Sequence, residues 1–166
     1  GEKRRLQRLA DENARHVLTS DLAQGEQRRL RRVEALEQLR ETLNLESLPL
    51  RIECFDVSTA MGQDNVGSLV VFQDGLPKKA HYRKFGIRGQ EGMDDFAAMG
   101  EMVSRRFARL AAGPATDDYD ESFAATPNLV VVDGGKGQLA AALAAMQTFD
   151  LPRVAVIALA KREEEV

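Results

Sequence analysis

The chain has 166 residues, 43% hydrophobic and 30% charged, with a formal net charge of −3, the composition of one ordinary soluble domain with room for a helical appendage. Its single cysteine, Cys54, excludes an internal disulfide and makes a reducing, cytoplasmic setting the expectation. No apolar run approaches the roughly 20 residues that span a bilayer, and the charged N-terminal stretch is not a signal peptide.

From Glu2 to about Leu43 the pattern is helical, with Leu6, Leu9, Asn13 and Val17 on one stripe and Leu30, Val33, Leu36, Leu39 and Leu43 on a second. Gly25 lies between them, so an α-hairpin is expected. Arg28, Arg29, Arg31 and Arg32 crowd this region, but Glu26, Glu34, Glu37 and Glu41 are interleaved with them, the mark of a solvated face. Pro49 separates this lead-in (1–47) from a strand-rich block (48–166) in which the periodicity changes. Strands are expected at 50–57, 66–73 and 78–87, with turns at Met61–Asn65 and at Asp74-Gly75, the latter a strong hairpin signal. Asp94 or Asp95 caps a helix running to about Ala111, whose apolar face is Phe96, Met99, Met102, Val103, Phe107 and Leu110. A loop from Gly113 to Thr126, rich in Asp, Ala and Thr, is expected on the surface as a mobile segment and a candidate gate for a site. A strand at 128–133, a helix at 137–148 and a strand at 153–160 complete the chain, the last two joined by a turn at Asp150 and Pro152.

Three antiparallel strands followed by αβαβ is the connectivity of an RNase H-like α/β domain with a five-stranded mixed sheet. The crossover rule lets the fourth strand lie parallel beside the first. Their C-terminal ends carry Asp56 and Asp133, and Asp95 at a helix N-terminus is expected to join them at the same edge. Ligand sites in open α/β sheets favour that edge. Two ionised carboxylates about 4 Å apart repel by roughly 4 kcal/mol at an effective dielectric near 20, and a divalent cation removes that strain. Oxygen ligands point to Mg²⁺ or Mn²⁺, and a pair of such ions supports in-line phosphodiester displacement. Any one of these aspartates alone reads as a turn residue or an N-cap; three together read as a metal centre.

Basic residues are unevenly spread. Lys78, Lys79, His81, Arg83, Lys84 and Arg88 form a run without an acid, and Arg105, Arg106 and Arg109 mark one helix. Asp133-Gly134-Gly135-Lys136-Gly137-Gln138 admits a rival reading, since Gly135, Gly137 and Ala140 satisfy a dinucleotide-type G-x-G-x-x-A pattern. An aspartate immediately before the first glycine would repel a bare pyrophosphate, no ribose-binding acid closes the next strand, and the Gly-Lys-Ser/Thr of a P-loop is missing. A DNA phosphate reaching Asp133 through a metal, with Lys136 nearby, suits the charges better.

Ile52-Glu53-Cys54-Phe55-Asp56-Val57-Ser58, Met61-Gly62, Tyr82-Arg83-Lys84-Phe85, Asp94-Asp95-Phe96-Ala97-Ala98-Met99, Arg105-Arg106-Phe107 and Val132-Asp133-Gly134-Gly135-Lys136-Gly137-Gln138-Leu139 occur in order. Together they resemble the endonuclease half of the UvrC excision-nuclease subunit, from about Leu48 to Lys161, and the lead-in resembles the segment preceding it. The resemblance implies an RNase H-like domain that incises damaged double-stranded DNA 5′ to a lesion during nucleotide excision repair, with Asp56, Asp95 and Asp133 as the functional aspartates. It also implies a UvrB-type damage-recognition partner that docks on a module outside this chain, and an active-site histidine beyond Val166. The chain is thus expected to be a fragment that binds metal weakly and fails to cut by itself. Ser58-Thr59-Ala60 stands where many relatives have Ser-His-Thr.

The leading expectation is a metal-dependent DNA endonuclease domain: Asp56 and Asp133 as principal ligands, Asp95 as a further ligand or water-orienting group, and Lys136, Arg83, Lys84 and Arg105 as phosphate contacts. A non-catalytic DNA- or partner-binding module of the same fold is the alternative, and a nucleotide-binding enzyme built on the glycine turn is a third.

Overall fold

The computed structural model describes residues 1–60, 64–87, 94–115, 120–151 and 153–161. Of the features singled out above, Met61–Gln63 of the first turn, Arg88, residues 116–119 of the loop and Pro152 lie outside the described residues.

The first element corrects an expectation. Glu2–Thr42 is one uninterrupted helix, α1, which passes through Gly25 without bending into a hairpin. One glycine costs about 1 kcal/mol relative to alanine, too little to stop a run of good helix formers. Nor are its leucine stripes core: Leu6, Leu9, Val17, Leu30 and Val33 are 46–62% exposed, and only Leu36 is buried. The interleaved charges pair along the helix as expected, Arg29 with Glu26 and Arg40 with Glu37.

Strand β1 (Arg51–Ala60) pairs antiparallel with β2 (Asp64–Gln73). The tight turn after β2 places Asp74 and Gly75 at positive φ, 54° and 76°, as an Asp-Gly hairpin requires. The expected third strand at 78–87 is realised only at Arg83–Gly86. Leu76–Pro77 (β3) and Arg83–Gly86 (β4) both pair with β2, and a 3₁₀ turn at Lys79–His81 separates them. The Lys78 N–H still donates to the Val71 carbonyl at 2.8 Å, so the ladder ends at the 3₁₀ turn rather than at Pro77. Helix α2 (Asp95–Ala112) follows, then β5 (Leu129–Asp133), α3 (Lys136–Met146) and β6 (Ala155–Leu159). The sheet order is β3-β2-β1-β5-β6, with β4 continuing the β3 edge, and β1, β5 and β6 run parallel. Counting β3 and β4 as one interrupted strand, this is the expected RNase H-like five-position mixed sheet.

Alternation along the strands decides which face is core. Arg51, Glu53 and Phe55 of β1, Leu69 and Val71 of β2, and Val130 and Val132 of β5 turn to the side covered by α2 and α3. There they meet Met99, Met102, Val103, Phe107, Ala142 and Met146. The opposite face carries Cys54, Asp56, Ser68, Val70, Val131 and Asp133, and at its carboxyl end it is open.

The loop after α2 is also corrected. Ser122 and Phe123 are buried, and a 3₁₀ turn at Glu121–Phe123 is capped by the Asp120 side chain. Its clamp is ionic. Glu53, fully buried, accepts from Arg106 Nε and Nη2 (2.9 and 2.7 Å) and from Arg51 Nε (2.9 Å). Further guanidinium hydrogens of Arg51 and Arg106 reach the carbonyls of Ser122, Phe123 and Ala125. Residues 120–125 are therefore fastened to the helix-covered face, away from the open one.

Candidate active site

Parallel pairing brings the first two aspartates together. Phe55 is in register with Val132, so Asp56 and Asp133, one residue further along each strand, stand next to each other at the carboxyl edge. Both line an open depression of about 390 Å³, together with Cys54, Ser68, Val131 and Lys161. Asp56 is exposed and has no hydrogen-bond or ion-pair partner among the described residues. Asp133 is half-buried, with Lys161 Nζ 3.9 Å from its Oδ2. Burial, and then the neighbouring Glu53 carboxylate, push the Cys54 thiol up, so at neutral pH it presents a thiol rather than a thiolate.

Asp95 shares the edge but not the depression. Asp94, not Asp95, caps α2, its carboxylate accepting from the Ala97 N–H at 2.7 Å. Asp95 is the first helical residue and is exposed. The starts of α2 and α3 lie side by side: a Cβ added at Gly137 would sit 2.4 Å from the Phe96 ring. That neighbourhood keeps Asp95 near the end of β5. Among the described residues, however, no three His, Cys, Asp or Glu side chains are grouped closely enough to hold a metal ion. The expected convergence of three is therefore realised for two.

The basic candidates divide. Lys84 pairs with Ser68, which pairs with Asp56, so these residues form a row across the open face. At about 4.8 Å per strand, Lys84 stands roughly 10 Å along the sheet from Asp56. Lys136 is the exposed first residue of α3. Arg83 faces the other way, held by Asp120 (2.7 and 2.8 Å) and the carbonyls of Ala80 and Tyr82. Arg105 donates to the Gly86 carbonyl at 2.7 Å and lies over the Phe85 ring.

The glycine turn is internally satisfied. Gly134 N–H donates to the Leu159 carbonyl and Gly135 N–H to Gln138 Oε1, so neither amide is free to cradle a pyrophosphate. Gly134 is required for another reason: at φ 149°, a Cβ there would lie 2.6–2.9 Å from the Gln138 side chain.

Two residues carry only faint signals in the sequence. Arg106 shares its helix with Arg105 and Arg109, yet Met99, Met102, Val103 and Arg106 follow i, i+3, i+4, i+7 spacing, which puts Arg106 on the apolar stripe. Lys161 gave a fainter signal, a cation two residues beyond the apolar run that ends β6.

The fold defines an RNase H-like α/β domain, with Asp56 inside β1 beside Asp133 at the end of β5. The profile described as the UvrC RNAse H endonuclease domain matches residues 40–166, and the chain belongs to that family. The relatives agree: UvrABC system protein C of Thermobifida fusca (strain YX) is 44% identical over 183 residues, covering 100% of this chain and 28% of that protein. The protein of the same name from Gemmatimonas aurantiaca is 44% identical over 166 residues, covering 100% of this chain and 26% of its own length. The chain thus spans little more than a quarter of these relatives. Among solved structures, Ciona intestinalis endonuclease V in complex with an inosine-containing 24mer DNA aligns over 81% of this chain and 59% of that one, with TM-score 0.44 and 14% identity. No described helix is long and apolar enough to cross a membrane.

Proposed function

We propose that this chain is the catalytic domain of a divalent-metal-dependent endonuclease that hydrolyses a DNA phosphodiester 5′ to a lesion, working in nucleotide excision repair with a UvrB-type partner. The observation that carries the reading is the adjacency of Asp56 and Asp133 in one open depression, with no ion-pair partner for Asp56 among the described residues. Such a donor set fits Mg²⁺ or Mn²⁺, which bind through one or two carboxylates and keep other positions for water and substrate oxygens. When bound, the ion supplies Lewis acidity at a phosphate oxygen and lowers the pKa of water.

The chain's own residues hold and orient. Asp56 and Asp133 would fix the cation position from two adjacent rigid strands, which is more exact than two loops would allow. Asp95, on the first turn of α2, is within the same edge to serve as a further ligand or to orient the attacking water. Lys84 and Lys136 supply charge for the DNA backbone, contacts that position the duplex without reading its sequence. Arg83 and Arg105, engaged within the protein, would have to give up those bonds to join them.

The test is Mn²⁺ calorimetry on the chain and on Asp56→Asn and Asp133→Asn, with folding checked by circular dichroism. Saturable binding lost in both variants, with the fold intact, supports the site. Binding retained by either variant sinks it. The lack of a three-carboxylate group among the described residues favours, as a second reading, a DNA- or partner-binding module without chemistry. Incision of damaged duplex by the full-length protein that survives Asp133→Asn would support that alternative.

A further inference from the structure

Among the described residues, Lys161 is the only cationic side chain lining the depression that holds Asp56 and Asp133. It lies two residues beyond Leu159, which is in register with Asp133, and its Nζ stands 3.9 Å from Asp133 Oδ2. Its side chain is 89% exposed, so this loose contact leaves the ammonium free to turn to another anion. Without a cation, two carboxylates and one ammonium leave the depression net negative, which repels a phosphodiester. A divalent ion together with Lys161 makes it net positive. We infer that Lys161 is a phosphate-binding, positioning residue that holds the DNA backbone on the β6 side of the bond to be cut. This rests on the site reading above.

The row across the sheet sets where that contact falls. Lys84 on β4 flanks the carboxylates on one side and Lys161, past β6, flanks them on the other. Four strand spacings separate β4 from β6, about 19 Å, comparable to the axial rise of five or six nucleotides at about 3.4 Å each. A single DNA strand crossing the sheet therefore meets a cation on either side of the carboxylate pair. Lys161 acts on the strand's position, and it leaves the proton transfers to other groups.

The test uses Lys161→Met and Lys161→Arg in this chain, with a short fluorescein-labelled duplex in Ca²⁺ and salt varied between about 50 and 200 mM. One lost phosphate contact should reduce the magnitude of the slope of log K against log salt by about 0.9 and weaken binding several-fold in Lys161→Met. Lys161→Arg should restore both. Mn²⁺ calorimetry separates this from a merely structural role: Lys161→Met should bind Mn²⁺ as well as the wild type or tighter, because a competitor for Asp133 is gone. An unchanged salt slope, or Mn²⁺ binding lost along with Lys161, overturns the assignment. So does displacement of the duplex by millimolar inorganic phosphate at constant ionic strength, which would point to a free-phosphate site. Asp56→Asn run in parallel keeps the two readings apart. If it abolishes Mn²⁺ binding while Lys161→Met changes nothing, the metal site stands and the role of Lys161 falls.

Discussion

Arg106 carries a charge into the apolar layer between sheet and helix, and Glu53 is what makes that tolerable. Both are fully buried, and removing one partner of such a pair costs roughly 3–5 kcal/mol because it strands the other charge. Arg106→Leu should destabilise the domain by that amount in urea unfolding. It also removes the donors to the Phe123 and Ala125 carbonyls, so limited proteolysis should cut near residues 120–126 sooner than in the wild type. His81 reports the same network from its rim. Arg51 can only donate, so its 3.1 Å contact with Nδ1 makes that nitrogen the acceptor. Burial, then Arg51, Lys78 and Arg83, hold the His81 pKa below its ordinary value, against a smaller opposing pull from Asp120. The unfolded chain then takes up the proton first, near pH 6.5, so stability is lost as pH falls from about 6.5 toward the lower folded value. Thermal midpoints should drop across that window, and His81→Gln should flatten the drop. Asp120 acts lower down: burial alone would raise its pKa, but hydrogen bonds from Ser122 and Arg83 bring it below the usual 3.8. Its stabilisation is present above that value and disappears as pH falls through the folded one.

Helix α1 and the start of α2 show how far local signals carry. Gly25 was expected to break the lead-in, yet a Cβ placed there meets nothing within 4 Å. Gly25→Ala should therefore raise helix stability by about 1 kcal/mol, seen as a higher helical melting temperature in far-ultraviolet circular dichroism. Unchanged or reduced helicity would mean the glycine is wanted for a bend in solution. At α2 the two consecutive aspartates divide the work. Asp94→Ala should cost about 1 kcal/mol by removing the cap, whereas Asp95→Ala should leave stability nearly unchanged, which unfolding of the two variants side by side would check. A residue free of structural duty at a helix N-terminus is available for function, and the run Asp94-Asp95 does not say which of the two that is. The edge beside β2, expected as one strand over 78–87, gives way to a 3₁₀ turn at Lys79–His81 before pairing resumes at Arg83.

Across the whole molecule, function depends on one face being covered and the other left open. Helices α2 and α3 and the 120–125 segment close one side of the sheet, so Asp56 and Asp133 lie on the open face, where the proposed DNA substrate would approach. Phosphate contacts from the open face should make DNA binding salt-dependent and insensitive to sequence. Lys84→Met should lower the magnitude of the salt slope by about 0.9, measured by anisotropy on two unrelated duplexes. A slope that stays put would remove Lys84 from the interface. The sequence by itself determined the strand and helix order from Arg51 onward except at the split edge beside β2, the alternation that sends Phe55 inward and Asp56 outward, and the family whose motifs those residues form. These are local properties, written in periods of two and 3.6 residues and in the chemistry of turns. Only the tertiary structure decided that Asp56 and Asp133 share a depression from which Asp95 stands apart, that Arg106 and Glu53 are buried together, and that Lys161 lies beside Asp133. Each of those facts depends on the register between segments far apart in the chain and on the directions of single side chains, and neither leaves a mark in local periodicity.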